Sequence, residues 1–176
     1  HALGEIIRQG YGMAMMWDIE NGYKDGQDHG MFASSKEPNV DWLNPHPSFY
    51  HYYYYNKCFG DTYYESHSTS KLIRIHTSTF SSGEIGIVAI NISSEEEVLS
   101  LNIKNKSTGK IAGVFELSSD SPSSRKVAIN STVTNKEAGG PQNFLKIKAN
   151  KIEIRDNNLK LNLKPYSANY IVIENE

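Results

Sequence analysis

The sequence predicts a mostly β protein, an antiparallel β-sandwich preceded by the last strand and helix of a (β/α)8 barrel. Three observations lead there. Beyond Gly60, short alternating or β-branched segments recur between turn residues, as in a sandwich. Ahead of it, residues 11–17 are an almost unbroken apolar run, the pattern of a strand buried on both faces. That run ends in Trp17-Asp18 and a polar, glycine-punctuated loop, as a strand does at the active-site end of an α/β barrel. The chain has 176 residues, whereas a whole barrel takes about 250. Only the end of a barrel is therefore expected, with residues 1–60 as one unit and 61–176 as the sandwich.

The elements follow in order. In residues 1–8 the apolar positions Ala2, Leu3, Ile6 and Ile7 have helical spacing, and Gly10 ends the helix. Helix, short glycine link and buried strand make the αβ half of a βα repeat. The chain opens at His1 inside this helix without Met or a capping residue, so the natural N-terminus is expected upstream. Residues 18–46 form a long loop with Gly22, Gly26, Gly30, Pro38 and Pro45, and connections of that length are usually functional. Pro47 suits a first helical turn, and residues 49–59 read as a helix against the β propensity of their tyrosines. Strands are expected over 62–67, 71–80, 84–93, 97–104, 109–117, 125–132, 144–154, 159–163 and 169–174. A bend is expected near Ala149-Asn150.

Composition excludes several functions. Hydrophobic residues are 38% and charged residues 22%, so a buried core is affordable and wholesale disorder is not expected. The net charge is −2 and no basic patch interleaves with aromatics, so no nucleic acid partner is expected. No apolar stretch is long enough to span a membrane. Cys58 is the single cysteine, so no internal disulfide forms, and no cofactor motif appears. Most of the 11 tyrosines fall before position 65, leaving a back half rich in Lys, Asn and Ser.

Candidate site residues concentrate behind the apolar run. Trp17 reads as a sugar platform, an indole face for the C–H face of a pyranose, or as a core tryptophan. Asp18, Glu20 and Asn21 suit sugar hydroxyls, or cap the loop. Tyr23 and Trp42 suit a cleft rim, or cover the loop. Asp28 pairs with Asp18 or Glu20 only in a weak acid–base reading. Asp25 and Asp28 lack the ligand density of a calcium loop. His29, His46 and His51 match no metal spacing, so no metal site is expected. Tyr50 and Tyr52 to Tyr55 read as packing between helix and sandwich rather than a glycan surface. Asn91, Asn105 and Asn130 head glycosylation patterns that read as ordinary residues in a chain of bacterial texture.

The segments GYGMAMMWDIENGYKDGQDHGMF and HPSFYHYYYYNKCFGD, then a sandwich opening TYYES and the line KLIRIHTSTFSSGEIGIVAINIS, resemble the C-terminal part of a retaining glycoside hydrolase of the clan-A type. The agarase/porphyranase and arabinofuranosidase/xylosidase groups are the nearest within it. The resemblance implies a TIM barrel with a C-terminal sandwich, and a tryptophan at the end of the eighth strand that floors a sugar subsite, here Trp17. Asp18, Glu20, Asn21, Tyr23, Asp28 and His29, in the loop behind it, are the further candidate substrate-binding residues. The resemblance also implies that the acid/base and nucleophile glutamates precede His1, so this stretch carries no catalytic residue. The implied partners are a polysaccharide or oligosaccharide and the upstream barrel portion of the same enzyme, and the implied location is secreted or periplasmic in a bacterium. A noncatalytic carbohydrate-binding module and a structural Ig-like domain are the alternatives.

Overall fold

The computed structural model describes every residue except 12, 17, 26, 27 and 176. Nine strands are formed by the described residues: β1 Thr62–Tyr64, β2 Ile73–Thr79, β3 Ile85–Asn91, β4 Glu97–Asn102, β5 Ile111–Ser118, β6 Ala128–Ile129, β7 Asn150–Glu153, β8 Asn158–Leu163 and β9 Ala168–Ile173. They make an antiparallel sheet in the order β1-β2-β3-β9-β5-β6, with β7 also against β5, and a second sheet of β4 and β8. Each strand overlaps a segment expected from the sequence, with β5, β8 and β9 reaching one residue outside theirs.

Burial explains the patterns. β3, in the middle of the large sheet, is buried on both sides and reads IGIVAIN without alternation. β8 has the large sheet on one side only and alternates, with Leu159, Leu161 and Leu163 inward and Lys160 and Asn162 outward. Those leucines and Leu99 of β4 close on Ile73, Ile85, Ile87, Val114, Ile171 and Ile173 of the large sheet. This is the sandwich core.

The opposite face of the large sheet has its own cover. Helix α2, Pro47–Cys58, starts at a proline on its first turn and ends where Phe59 turns extended. Tyr50, Tyr54 and Cys58 recur at four-residue spacing, so one stripe of the helix is buried against Val88, Phe115, Leu117 and Tyr170. The tyrosine run is therefore helical and serves packing. Tyr50 and Tyr53 also meet Phe144 edge-on, at centroid distances of 5.3 and 5.0 Å. Residues 1–60 and the sandwich thus share a core through α2. Helix α1, Ala2–Arg8, ends at Gly10 with φ +76°, as expected. It rests on β2 through Gly4, where a Cβ would collide with the His76 ring. Among the described residues no helix is long and apolar enough to cross a membrane.

Some expectations are corrected. Residues 125–132 keep only two residues of strand, because Asn130 and Ser131 take positive φ and turn the chain. Residues 144–154 divide into a 3-10 turn, Phe144–Lys146, and β7, which begins only at Asn150. Residues 62–67 retain three residues of strand. Residues 13–16 form no strand within this chain, and Met13 and Met15 are 74% and 85% exposed. A run patterned for burial has no cover here.

Candidate functional site

The loop ahead of α2 builds itself from three short passes. Residues 18–20 run beside 31–33, with Met31 N donating to Asp18 O at 2.9 Å and Phe32 N to Ile19 O at 3.0 Å. Residues 31–33 run antiparallel to 43–46 through Ala33 N to Asn44 O at 2.9 Å and His46 N to Met31 O at 3.0 Å. Asp28 closes the turn between the first two passes. Its Oδ1 accepts from Gly30 N at 2.8 Å and its Oδ2 from Ser34 N at 3.0 Å. The long loop is thus compact and hydrogen-bonded, in the manner of an Ω-loop.

A buried charge cluster clamps this loop to the sandwich. The Glu37 side chain is only 2% exposed and is held by Arg125 Nη2 and by His46 Nε2 at 2.9 Å. His46 Nδ1 lies 2.7 Å from the Gly30 carbonyl. Both ring nitrogens thus lie against oxygens. A buried carboxylate paired with the Arg125 guanidinium meets the rule that buried charges are paired. Asn44 Nδ2 donates to Ala138 O at 3.2 Å and Lys136 Nζ to Asp41 at 2.6 Å, extending the clamp. Gly139, at φ +90°, lets the sandwich backbone approach Pro45.

The expected site residues divide accordingly. Trp17 lies outside the described residues. Asp18 follows it, and its Oδ1 is buried without a hydrogen-bond partner among the described residues. Glu20 Oε2 accepts from Trp42 Nε1 at 3.2 Å on the exposed side of the loop, which joins one expected residue to the expected rim. Asn21 Oδ1 turns back to Gly22 N at 2.8 Å. Tyr23 is half-buried and its N–H donates to Ser34 Oγ at 3.2 Å. Asp28 and Asn21 therefore do the loop-building work of Asx residues. His29 is exposed. The structure joins Glu20 to Trp42, which is exposed, as are Tyr11, Met13, Met15 and Ile19.

A carboxylate pair exists but is committed elsewhere. Asp28, Glu37 and His46 have polar atoms within 4.8 Å of one another. Both Asp28 oxygens bind backbone amides, and the Glu37 oxygens bind Arg125 and His46, so neither carboxyl is free to attack or protonate a substrate. Burial pushes the Cys58 thiol up to about 12, so it is no nucleophile. Asn91 is 1% exposed, and its amide donates to Glu95 O, Leu163 O and Lys164 O at 2.7–3.2 Å, a structural role that excludes glycosylation.

Glu37, Arg125 and Asn44 were not legible as a unit. Arg125 follows Glu37 by 88 residues, and no local pattern joins them. The sandwich itself offers a groove of about 930 Å³ between β1–β2 and β4, floored by Ile73, Ile75 and Ile87. Tyr64 is the aromatic residue exposed there.

No protein-family profile and no curated protein matches this sequence. Solved structures do. CelM2, a bifunctional glucanase-xylanase from a metagenome library, is 18% identical with a TM-score of 0.56 over 77% of this chain and 24% of its own. The glycoside hydrolase family 30 subfamily 8 xylanase Xyn30A from Clostridium acetobutylicum is 14% identical with a TM-score of 0.56, over 85% of this chain and 32% of its own. The arabinose-bound α-L-arabinofuranosidase MgGH51 is 14% identical with a TM-score of 0.59, over 84% and 21%. This chain therefore spans between 21% and 32% of the length of these enzymes. At such identities the likeness is one of fold: the antiparallel sandwich with its covering helix is shared with a part of several glycoside hydrolases.

Proposed function

We propose that this chain is the C-terminal portion of a polysaccharide-degrading retaining glycoside hydrolase that is secreted or periplasmic in a bacterium. The carrying observation is the shared fold with a minor part of carbohydrate-cleaving enzymes. The bare apolar run at 13–16, immediately before the loop, supports it, since a strand of that pattern needs neighbours on both sides. In this reading the upstream barrel supplies those neighbours and both catalytic carboxyls. Retaining hydrolysis needs two carboxyl groups about 5 Å apart across the scissile bond, one acting as nucleophile and the other as acid and then base. Residues of this chain orient the sugar. Trp17 stacks beneath the ring, Asp18 offers its unpaired oxygen to a hydroxyl, and the Glu20–Trp42 pair stands at the rim. The clamp through Glu37 and Arg125 holds that loop to the sandwich, which braces the barrel.

Affinity electrophoresis in xylan, arabinan and β-glucan gels tests the reading. Retardation by one of them, lost in Trp17→Ala, is expected, with no release of reducing ends by this chain alone. Hydrolysis by the chain alone would overturn the upstream placement of the carboxyls. Equal retardation of Trp17→Ala would remove Trp17 from the subsite. The noncatalytic module is the weaker reading, because Tyr64 alone among the described sandwich aromatics is exposed.

A further inference from the structure

A second cluster of titratable groups lies far from the loop, where α1 crosses β2. His1 Nδ1 and His76 Nε2 are 3.0 Å apart, and Glu5 Oε1 is 4.0 Å from each. We propose that His1 Nδ1, His76 Nε2 and Glu5 Oε1 bind one Zn²⁺ ion, with water as the fourth ligand, and that the ion staples α1 to the sheet.

The geometry fits the ion. Tetrahedral zinc with ligands at 2.0–2.1 Å sets its donors about 3.3 Å apart. The three donors reach that spacing by opening the histidine pair slightly and drawing the carboxylate inward. His1 and Glu5 stand one helical turn apart on the same face of α1, the i, i+4 spacing that brings two donors together. His76 comes from β2, with its side chain 2% exposed. Gly4 lets the helix lie directly on the His76 ring. Arg8 already grips Glu5 by its other oxygen, at 2.6 and 2.9 Å, which leaves Oε1 for the metal and fixes its aim. Side chains of His1 and Glu5 are 42% and 37% exposed, so water reaches the fourth position. Two imidazoles and one carboxylate are a borderline donor set that suits zinc rather than calcium or magnesium, which require oxygen. The cluster of Asp28, Glu37 and His46 does not compete, because its oxygens are already taken.

Equilibrium dialysis and thermal denaturation of the whole chain test the site. Wild type is expected to retain one Zn²⁺ per chain. At a free zinc concentration a hundredfold above Kd, Tm should rise by roughly 5–10 °C, reversed by EDTA and absent with Mg²⁺. His1→Gln, at an exposed position, should leave the metal-free Tm within about 1 °C and abolish the shift. Glu5→Gln should weaken binding. Co²⁺ in wild type should give the visible bands of a four-coordinate ion, lost in His1→Gln. An unchanged zinc shift in His1→Gln, or a shift lost instead in His46→Gln, would overturn the proposal, as would substoichiometric zinc in wild type.

Discussion

Replacing Arg125 by alanine tests the clamp that holds the front loop. Glu37 is the buried member, with 2% of its side chain exposed, while Arg125 is 47% exposed. Removing one partner of a fully buried pair costs about 3–5 kcal/mol, because the other charge stays behind without compensation. Here His46 remains on the second oxygen at 2.9 Å, and water enters where the guanidinium was. The expected cost is therefore about 2–3 kcal/mol, a lowering of Tm by roughly 5–10 °C for a domain of this size. Urea denaturation of Arg125→Ala, Glu37→Gln and the double variant gives the coupling directly. The double variant should cost less than the sum of the singles by about 1–3 kcal/mol. Hydrogen exchange should quicken at the amides of Ala33, Leu43 and His46, which hold the loop's passes together. A cost for Arg125→Ala under about 0.5 kcal/mol, the level of an ordinary surface change, would refute the reasoning. Strict additivity of the two substitutions would refute it as well.

Other consequences are equally direct. Asn91→Ala leaves three inward-facing carbonyls without their amide and should cost about 2–4 kcal/mol by chemical denaturation, whereas Asn91→Asp should not rescue it, having no donor. His51 sits against Tyr170 Oη at 2.9 Å, and burial lowers its pKa from 6.5 to about 4. The unfolded chain then binds the extra proton between those values, so stability should fall from pH 6.5 to 4 by about 3 kcal/mol and level off below; His51→Gln should flatten that slope. Gly4→Ala should drive α1 off the His76 ring, seen as faster exchange in residues 2–8 with β3 and β9 protection unchanged. Trp42→Ala, at a 61% exposed position, should leave Tm within about 1 °C yet reduce retardation in the polysaccharide gel that binds wild type.

The sandwich was readable because its information is local. A strand with one wet face alternates, as 158–163 do, and a central strand does not, as 85–91 show. The helix over 47–58 was readable against its β propensity from its proline start, while the buried four-residue stripe of Tyr50, Tyr54 and Cys58 emerged only in the fold. Strand ends were less readable where side chains at 130 and 131 hide a positive-φ turn. At the front, two of the candidate ligand groups also build the loop. Asp28 and Asn21 looked like ligand groups, and the fold spends them on backbone amides, since a free carboxylate and a nearby unpaired N–H meet at lower cost than either finds water inside a packed loop.

The sequence by itself determined the order of elements, the alternating faces of 159–163, the central character of 85–90 and the helix after Pro47, because periodicity and turn chemistry act over a few residues. Only the tertiary structure decided that Glu37 meets Arg125 and His46, that His76 meets His1 and Glu5, and that Glu20 meets Trp42. Those partners are brought together by packing the loop and α1 on a sheet whose strand order departs from chain order, and no local pattern encodes a pairing across such distances.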